Sequence, residues 1–243
     1  MSFSVSYVMI TDHRGGDLIN PSIASVVNAL EGDDDFVITG NTKNLTPQDK
    51  VKFAECGDRA LGGDTSFVRN YGYEACNKNS YVIFIDDDVI IPPSFRQNLK
   101  EYVEGDNPLD AFNVKIIAKR GFATAELLKH DKYEYMISLC VIFRKEVFEE
   151  MRWDNRYGYY KGPTEGSCPE DVKMTYDVMN AGYRYGLVDS IYIYVNDDNL
   201  YFFNDYFGRT NICKTTFSPI RKDHYYPVTK NLDFHLKEIS QLV

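Results

Sequence analysis

The sequence lacks the features that assign many chains at sight. Its five cysteines, Cys56, Cys76, Cys140, Cys168 and Cys213, are scattered, with no Cys-x-x-Cys pair and no Cys/His spacing. That pattern argues against a zinc site or a disulfide framework and for the reduced thiols of a cytosolic-type compartment. No segment approaches the about 20 apolar residues a spanning helix needs, so any membrane association would be peripheral. The opening MSFSVSYVMITD has neither a basic region nor a long apolar stretch, and reads as a first strand and not as a leader. Repeats, low-complexity segments and linkers are absent too. Nor is there a basic surplus: a formal charge of −9 argues against a surface built to wrap nucleic acid, which needs clustered Lys and Arg. An acidic total says little about a small-molecule site, where a metal inverts the local field.

What is present is a globular composition, 44% hydrophobic and 26% charged over 243 residues, enough for a sizeable core. SVSYVMIT (4–11) is nearly continuous in apolar residues, the mark of a strand buried on both faces. Ile23, Val26, Val27 and Leu30 follow at helical spacing between Pro21 and Gly32. FVITGN (36–41) reads as a second strand, and residues 42–60 carry no clear period. A helix entered at Asp64 or Thr65 as N-cap leads to the strand YVIFI (81–85). Strand, helix, strand, loop, helix, strand implies a parallel α/β sheet with right-handed crossovers. Later come a helix at 94–103, strands at 110–118 and 135–144, a short helix in KEVFEEM, a strong helix in SCPEDVKMTYDVMNAGYRYG and a strand at 191–195. From Asn196 the chain is aromatic and polar with weak periodicity. The expected organisation is one catalytic domain, 1–195, and a C-terminal extension, 196–243, packing on or covering the active site.

Two aspartate triads stand out, Asp33–Asp35 and Asp86–Asp88. In open parallel sheets ligands gather beyond the carboxyl ends of strands. Asp33–Asp35 precede a strand and are expected to be a solvated turn on the opposite rim. Asp86–Asp88 directly follow a buried strand, where their mutual repulsion calls for a cation or hydrogen bonds. Hard Mg²⁺ or Mn²⁺ suits such oxygen donors, above all when phosphates complete the shell.

With GGDTSFVRNYGYEACNKNSYVIFIDDDVIIPPSF in view, the chain resembles the GT-A glycosyltransferases, closest to the inverting family 2 group. The matching elements are the helix Arg69-Asn70-Tyr71-Gly72, the Asp-x-Asp at Asp86-Asp87-Asp88, Phe143-Arg144…Phe148, and Glu170-Asp171 ahead of Gly182-Tyr183. They occur in the family's order over roughly residues 4–195. The resemblance implies a Rossmann-like α/β fold for nucleotide-diphospho-sugar transferases, with a mostly parallel central sheet flanked by helices. It implies a metal-dependent, hexosyltransferase-type enzyme that moves a sugar from a nucleotide-diphosphate sugar, a UDP-sugar first among donors, to a hydroxyl on a glycan, glycoprotein or other acceptor, with inversion.

Site roles follow from the same resemblance. Asp88 is the expected direct ligand of Mn²⁺ or Mg²⁺, with Asp86 on the metal, its water or the donor ribose. Asp87 is the motif's variable position and could serve instead if the strand ends one residue differently. Asp171 is the expected general base. Glu170 fits a capping box with Ser167 and an acidic first turn, and that role is favoured for it. Nucleotide contacts are expected from Thr11, His13, Asn41 and Arg69, although His13 reads equally well as an exposed loop histidine and Arg69 as an outward helix arginine. Thr11-Asp12-His13-Arg14 and Gly40-Asn41-Thr42 depart from the family's commoner patterns, and Asn41 stands where an Asp often reads uracil. After the late strand, Asn196-Asp197-Asp198 replace the His that often ligates the metal. Trp153 is the expected acceptor platform, core packing being the alternative. The protein is expected to be soluble and cytoplasmic. Rival readings are a nucleotide-sugar pyrophosphorylase or nucleotidyltransferase, for which DHRGGD is only a hint of the Gly-rich loop, and a non-catalytic carbohydrate-binding protein on the same fold.

Overall fold

A computed structural model of the chain describes residues 3–12, 19–61, 64–118, 122–124, 128–130, 133–156, 170–195 and 225–227. The apolar run at the start forms β1 (Val5–Thr11). It is flanked in parallel by β2 (Asp35–Gly40) and β4 (Tyr81–Asp86), and β2 pairs in parallel with β3 (Val51–Glu55). Between them lie α1 (Ile19–Ala29), the short α2 (Gly57–Leu61) and α3 (Thr65–Ala75). β3 and α2 fall in the stretch that showed no period. β3 is a sheet edge of five residues, and its VKFAE mixes Lys52 and Glu55 with the apolar positions.

The second half supplies β5 (Val89–Ile90), α4 (Phe95–Val103), β6 (Ala111–Ala118), β7 (Phe122–Thr124), a hairpin of β8 (Leu128–His130) with β9 (Tyr133–Tyr135), β10 (Cys140–Arg144), α5 (Lys145–Met151), α6 (Glu170–Asn180), β11 (Tyr185–Val195) and β12 (Tyr225–Pro227). β10 runs antiparallel between β4 and β6, and β11 pairs in parallel with β6. The resulting order is β12-β7-β6-β10-β4-β1-β2-β3. β12 comes from the C-terminal extension and pairs with β7 at the sheet's other edge. The single strand expected at 135–144 is split, because the Asn113 side chain captures the intervening turn: Nδ2 donates to Ile137 O (2.8 Å) and Oδ1 accepts from Ile137 N (2.7 Å). Among the described residues no helix is long and apolar enough to cross a membrane.

Alternation along the strands divides the core between two faces. On one, Val5, Tyr7 and Met9 pack with Ile19, Ile23 and Val26 of α1 and Phe95 and Leu99 of α4. On the other, Val8, Val37, Val82 and Phe84 meet Tyr73, Val147, Phe148, Met174 and Val178 from α3, α5 and α6. α3 lies unusually close to the sheet: a Cβ on Gly72 would stand 2.6 Å from Val8 Cγ1 and from Thr39 Cγ2. That contact is why this helix carries glycine in mid-run despite its cost in helix propensity.

The Asp33–Asp35 triad departs from the expectation of a solvated turn. Asp34, its side chain fully buried, accepts from Val5 N (2.8 Å) and pairs with Arg96 of α4, Nη2 donating at 3.2 Å. Asp35, 6% exposed, accepts from Ser6 Oγ (2.6 Å) and Asn77 N (2.8 Å). The pair therefore fastens β1, β2, α4 and the turn before β4 at the amino-terminal rim. Removing Asp34 takes away the buried partner of Arg96 and leaves it only the exposed Glu31 carboxylate, 2.9 Å from Nη1. Asp34→Ala is expected to cost about 3–5 kcal/mol in denaturant unfolding, and a loss under about 1 kcal/mol would mark the network as dispensable.

Candidate active site

The carboxyl ends of β1, β2, β3 and β4 lie on one rim, and three of the expected residues are linked there. β1 and β2 come so close that a Cβ on Gly40, at φ +124°, would sit 1.9 Å from Thr11 O. Asn41 N donates to Thr11 O (2.9 Å) and its side-chain Nδ2 to Asp12 O (3.3 Å). From β1, Thr11 Oγ1 donates to Asp87 Oδ2 across to the turn after β4. Thr11, Asn41 and Asp87 are thus tied into one surface, whereas His13 lies outside the described residues. Beside them is Glu55 at the end of β3, a residue that no sequence signal marked. Burial pushes its carboxyl up, but hydrogen bonds from Thr42 N (2.6 Å), Thr42 Oγ1 (2.8 Å) and Gly57 N (2.7 Å) outweigh it and hold the group below its ordinary value.

Asp64 caps α3, accepting from Phe67 N (3.3 Å), as one of the two expected N-caps. One turn on, Arg69 is 1% exposed. Its Nη2 donates to Asp86 Oδ1 (3.1 Å) and its Nη1 to Glu170 Oε1 (3.0 Å). Thr65 Oγ1 donates to the same Glu170 oxygen (2.9 Å). The arginine expected to reach a nucleotide is instead buried between two carboxylates, and Glu170, expected as a cap, points its carboxylate at α3. Its capping-box partners, Ser167 to Pro169, lie outside the described residues. Burial pushes Asp86 up to about 7; Arg69 opposes this, while the Asp87 and Glu170 carboxylates add to it. The Asp86 side chain is nonetheless 26% exposed, so a ligand can reach it.

Asp171 follows Glu170 in the first turn of α6 and is 5% exposed. Its carbonyl accepts from Thr175 Oγ1 (2.8 Å), which in turn accepts from Met136 N (2.9 Å). The helix closes at the expected Gly182-Tyr183 pair, with Tyr183 N donating to Val178 O (3.1 Å). Trp153 is a correction to the acceptor-platform expectation. It is 3% exposed and stands edge-on to Phe84 (5.8 Å between centroids) and Phe143 (6.2 Å). Asn70 holds both backbone groups of Trp153, donating from Nδ2 to its O (2.7 Å) and accepting from its N (3.1 Å), and the indole lies in the core. Asn196, Asp197 and Asp198 and the aromatic and basic residues of 201–224 lie outside the described residues.

For a metal, the turn at Asp86–Asp88 offers carboxyl oxygens, the donor type a hard divalent ion takes. Among the described residues no group of three or more His, Cys, Asp or Glu side chains converges to hold one. The carboxylates of this turn fit a hard divalent ion that takes further oxygens from elsewhere.

No family model and no curated protein matches the chain. Solved structures do. TarS residues 1–349 from S. aureus matches with a TM-score of 0.54 at 14% identity over 80% of this chain and 60% of that one. GalNAc-T7, in complex with UDP, GalNAc and Mn²⁺, matches at 0.57 and 12% over 79% and 44%. The mannosyltransferase PcManGT from Pyrobaculum calidifontis, in complex with GDP-Man and Mn²⁺, matches at 0.56 and 12% over 85% and 60%. This chain therefore spans 44–60% of the length of these proteins, and it has the fold of the GT-A glycosyltransferases.

Proposed function

We propose that this protein transfers a sugar from a nucleotide-diphosphate sugar to an acceptor hydroxyl, with inversion and with a divalent cation. The observation that carries the reading is the juxtaposition at one rim of a GT-A sheet: the acidic turn after β4, tied through Arg69 to the helix that bears Asp171. Asp88 and Asp86 would hold Mn²⁺ or Mg²⁺, which when bound supplies charge stabilisation for the departing diphosphate. Thr11 fixes Asp87, and Thr11 with Asn41 forms the wall against which the nucleotide would lie. Asp171 accepts the proton of the acceptor hydroxyl as that oxygen bonds to the anomeric carbon and the bond from that carbon to the diphosphate oxygen breaks. Residues 196–243 would cover the donor site.

TarS binds UDP-GlcNAc and UDP, and PcManGT binds GDP-Man with Mn²⁺, so the donor panel is drawn from these nucleotides. UDP-GlcNAc, UDP-glucose, UDP-GalNAc and GDP-mannose are each added with Mn²⁺ or with EDTA, reading thermal shift and release of nucleoside diphosphate. At least one donor is expected to raise the melting temperature and to be slowly hydrolysed in Mn²⁺ but not in EDTA. A panel with neither effect would remove the assignment.

A further inference from the structure

Among the described residues, Arg69 is a buried guanidinium at the rim whose two terminal nitrogens serve different elements of the candidate site. Nη2 meets Asp86 at the end of β4 (3.1 Å), and Nη1 meets Glu170 at the start of α6 (3.0 Å), 101 residues away in sequence. The group is 1% exposed, lies 5.0 Å from the Trp153 ring centroid, and has an Nε with no hydrogen-bond partner among the described residues. Away from water a charge is weakly screened, so its attraction is divided between the two carboxylates instead of being lost to solvent.

We propose that Arg69 is a shared counter-ion that couples cation binding at Asp86 to the seating of α6, with Glu170 as the other partner. The inference rests on the metal-dependent reading above and adds a positioning role to it. A cation approaching Asp86 competes with Nη2 for the same carboxylate. What Arg69 gives up there goes to Glu170, the residue next to Asp171, and tightens the first turn of α6 against α3. Coupling of this kind is reciprocal. Neutralising Glu170 leaves Asp86 as the nearest anion to Arg69, so the cation must then displace a stronger competitor. Thr65, which donates to Glu170 Oε1 at 2.9 Å, fixes the same side chain without charge and separates the two contributions.

The test measures Mn²⁺ affinity of the full chain from the electron-spin-resonance signal of free Mn²⁺. It also measures hydrogen exchange of the first turn of α6 with and without Mn²⁺. In the wild type Mn²⁺ is expected to slow exchange there. Glu170→Gln keeps an amide oxygen for Thr65 and Arg69, and is expected to weaken Mn²⁺ binding by roughly fivefold or more and to abolish the Mn²⁺-dependent protection. Thr65→Val is expected to leave Mn²⁺ affinity and the protection as they are. In an Arg69→Lys background, where one ammonium replaces the two-pronged donor, the effect of Glu170→Gln is expected to shrink. An undiminished effect there would mean that the carboxylate acts through space and would overturn the role of Arg69. Equal affinity and protection in wild type and Glu170→Gln would overturn the coupling and leave the glycosyl-transfer reading intact. A wild type that binds no Mn²⁺ would remove the metal reading and the coupling with it.

Discussion

Asp171→Asn is expected to bind Mn²⁺ and nucleoside diphosphate as the wild type does and to transfer sugar about 10²–10⁴-fold more slowly. The substitution is nearly isosteric, so the acceptor would meet the same surface but no group able to take its proton. Binding should survive because this part of α6 is also held by links other than the Asp171 carboxylate. Thr175 grips its backbone carbonyl, Met136 N donates to Thr175, and Glu170 ties the helix to α3. The effect should therefore fall on kcat for transfer, with the donor KM little changed and the melting temperature within a few degrees. A variant with full transfer activity would remove Asp171 as the base. A variant that loses nucleotide binding as well would place the residue in the donor site instead.

The layout of the first ninety residues was legible because buried parallel strands are written as unbroken apolar runs, and β1, β2 and β4 each have one. β3 was not, since an edge strand needs no such run. The position of Asp86–Asp88 beyond β4 was legible for the same reason. What sequence could not carry was the set of partners that decides each side chain's task. Asp34 looked solvated because Arg96 stands 62 residues away. Glu170 was legible only as a cap, because its contact with Arg69 reaches a helix 101 residues earlier. Trp153 has no periodic context, and its burial depends on Asn70 fixing the backbone from 83 residues off. Glu55 carries no motif at all, and only its three donors mark it. Local pattern thus gave the scaffold, while roles that depend on tertiary hydrogen bonds had to be read from the structure.

The two triads make the sharpest comparison, since Asp88→Ala and Asp34→Ala delete the same group from the same tripeptide. Asp88→Ala is expected to weaken Mn²⁺-dependent binding of nucleoside diphosphate by about 100-fold or more, beyond what loss of an outer-shell partner costs, and to change stability by less than about 1 kcal/mol. The physical difference is the source of compensation. Asp34 is neutralised from within the fold by Arg96 and the Val5 amide, so its loss is paid in folding. Asp88 stands in the turn between β4 and β5, beside the Asp86 and Asp87 carboxylates that Arg69 and Thr11 engage, at the rim where the cation of the proposed reaction would bind. Calorimetric titration of UDP or GDP in Mn²⁺ and in EDTA, beside denaturant unfolding, separates the two outcomes. If Asp88→Ala keeps its Mn²⁺-dependent affinity, the ligand role passes to Asp86 or Asp87. If it unfolds as readily as Asp34→Ala, the second triad is as structural as the first.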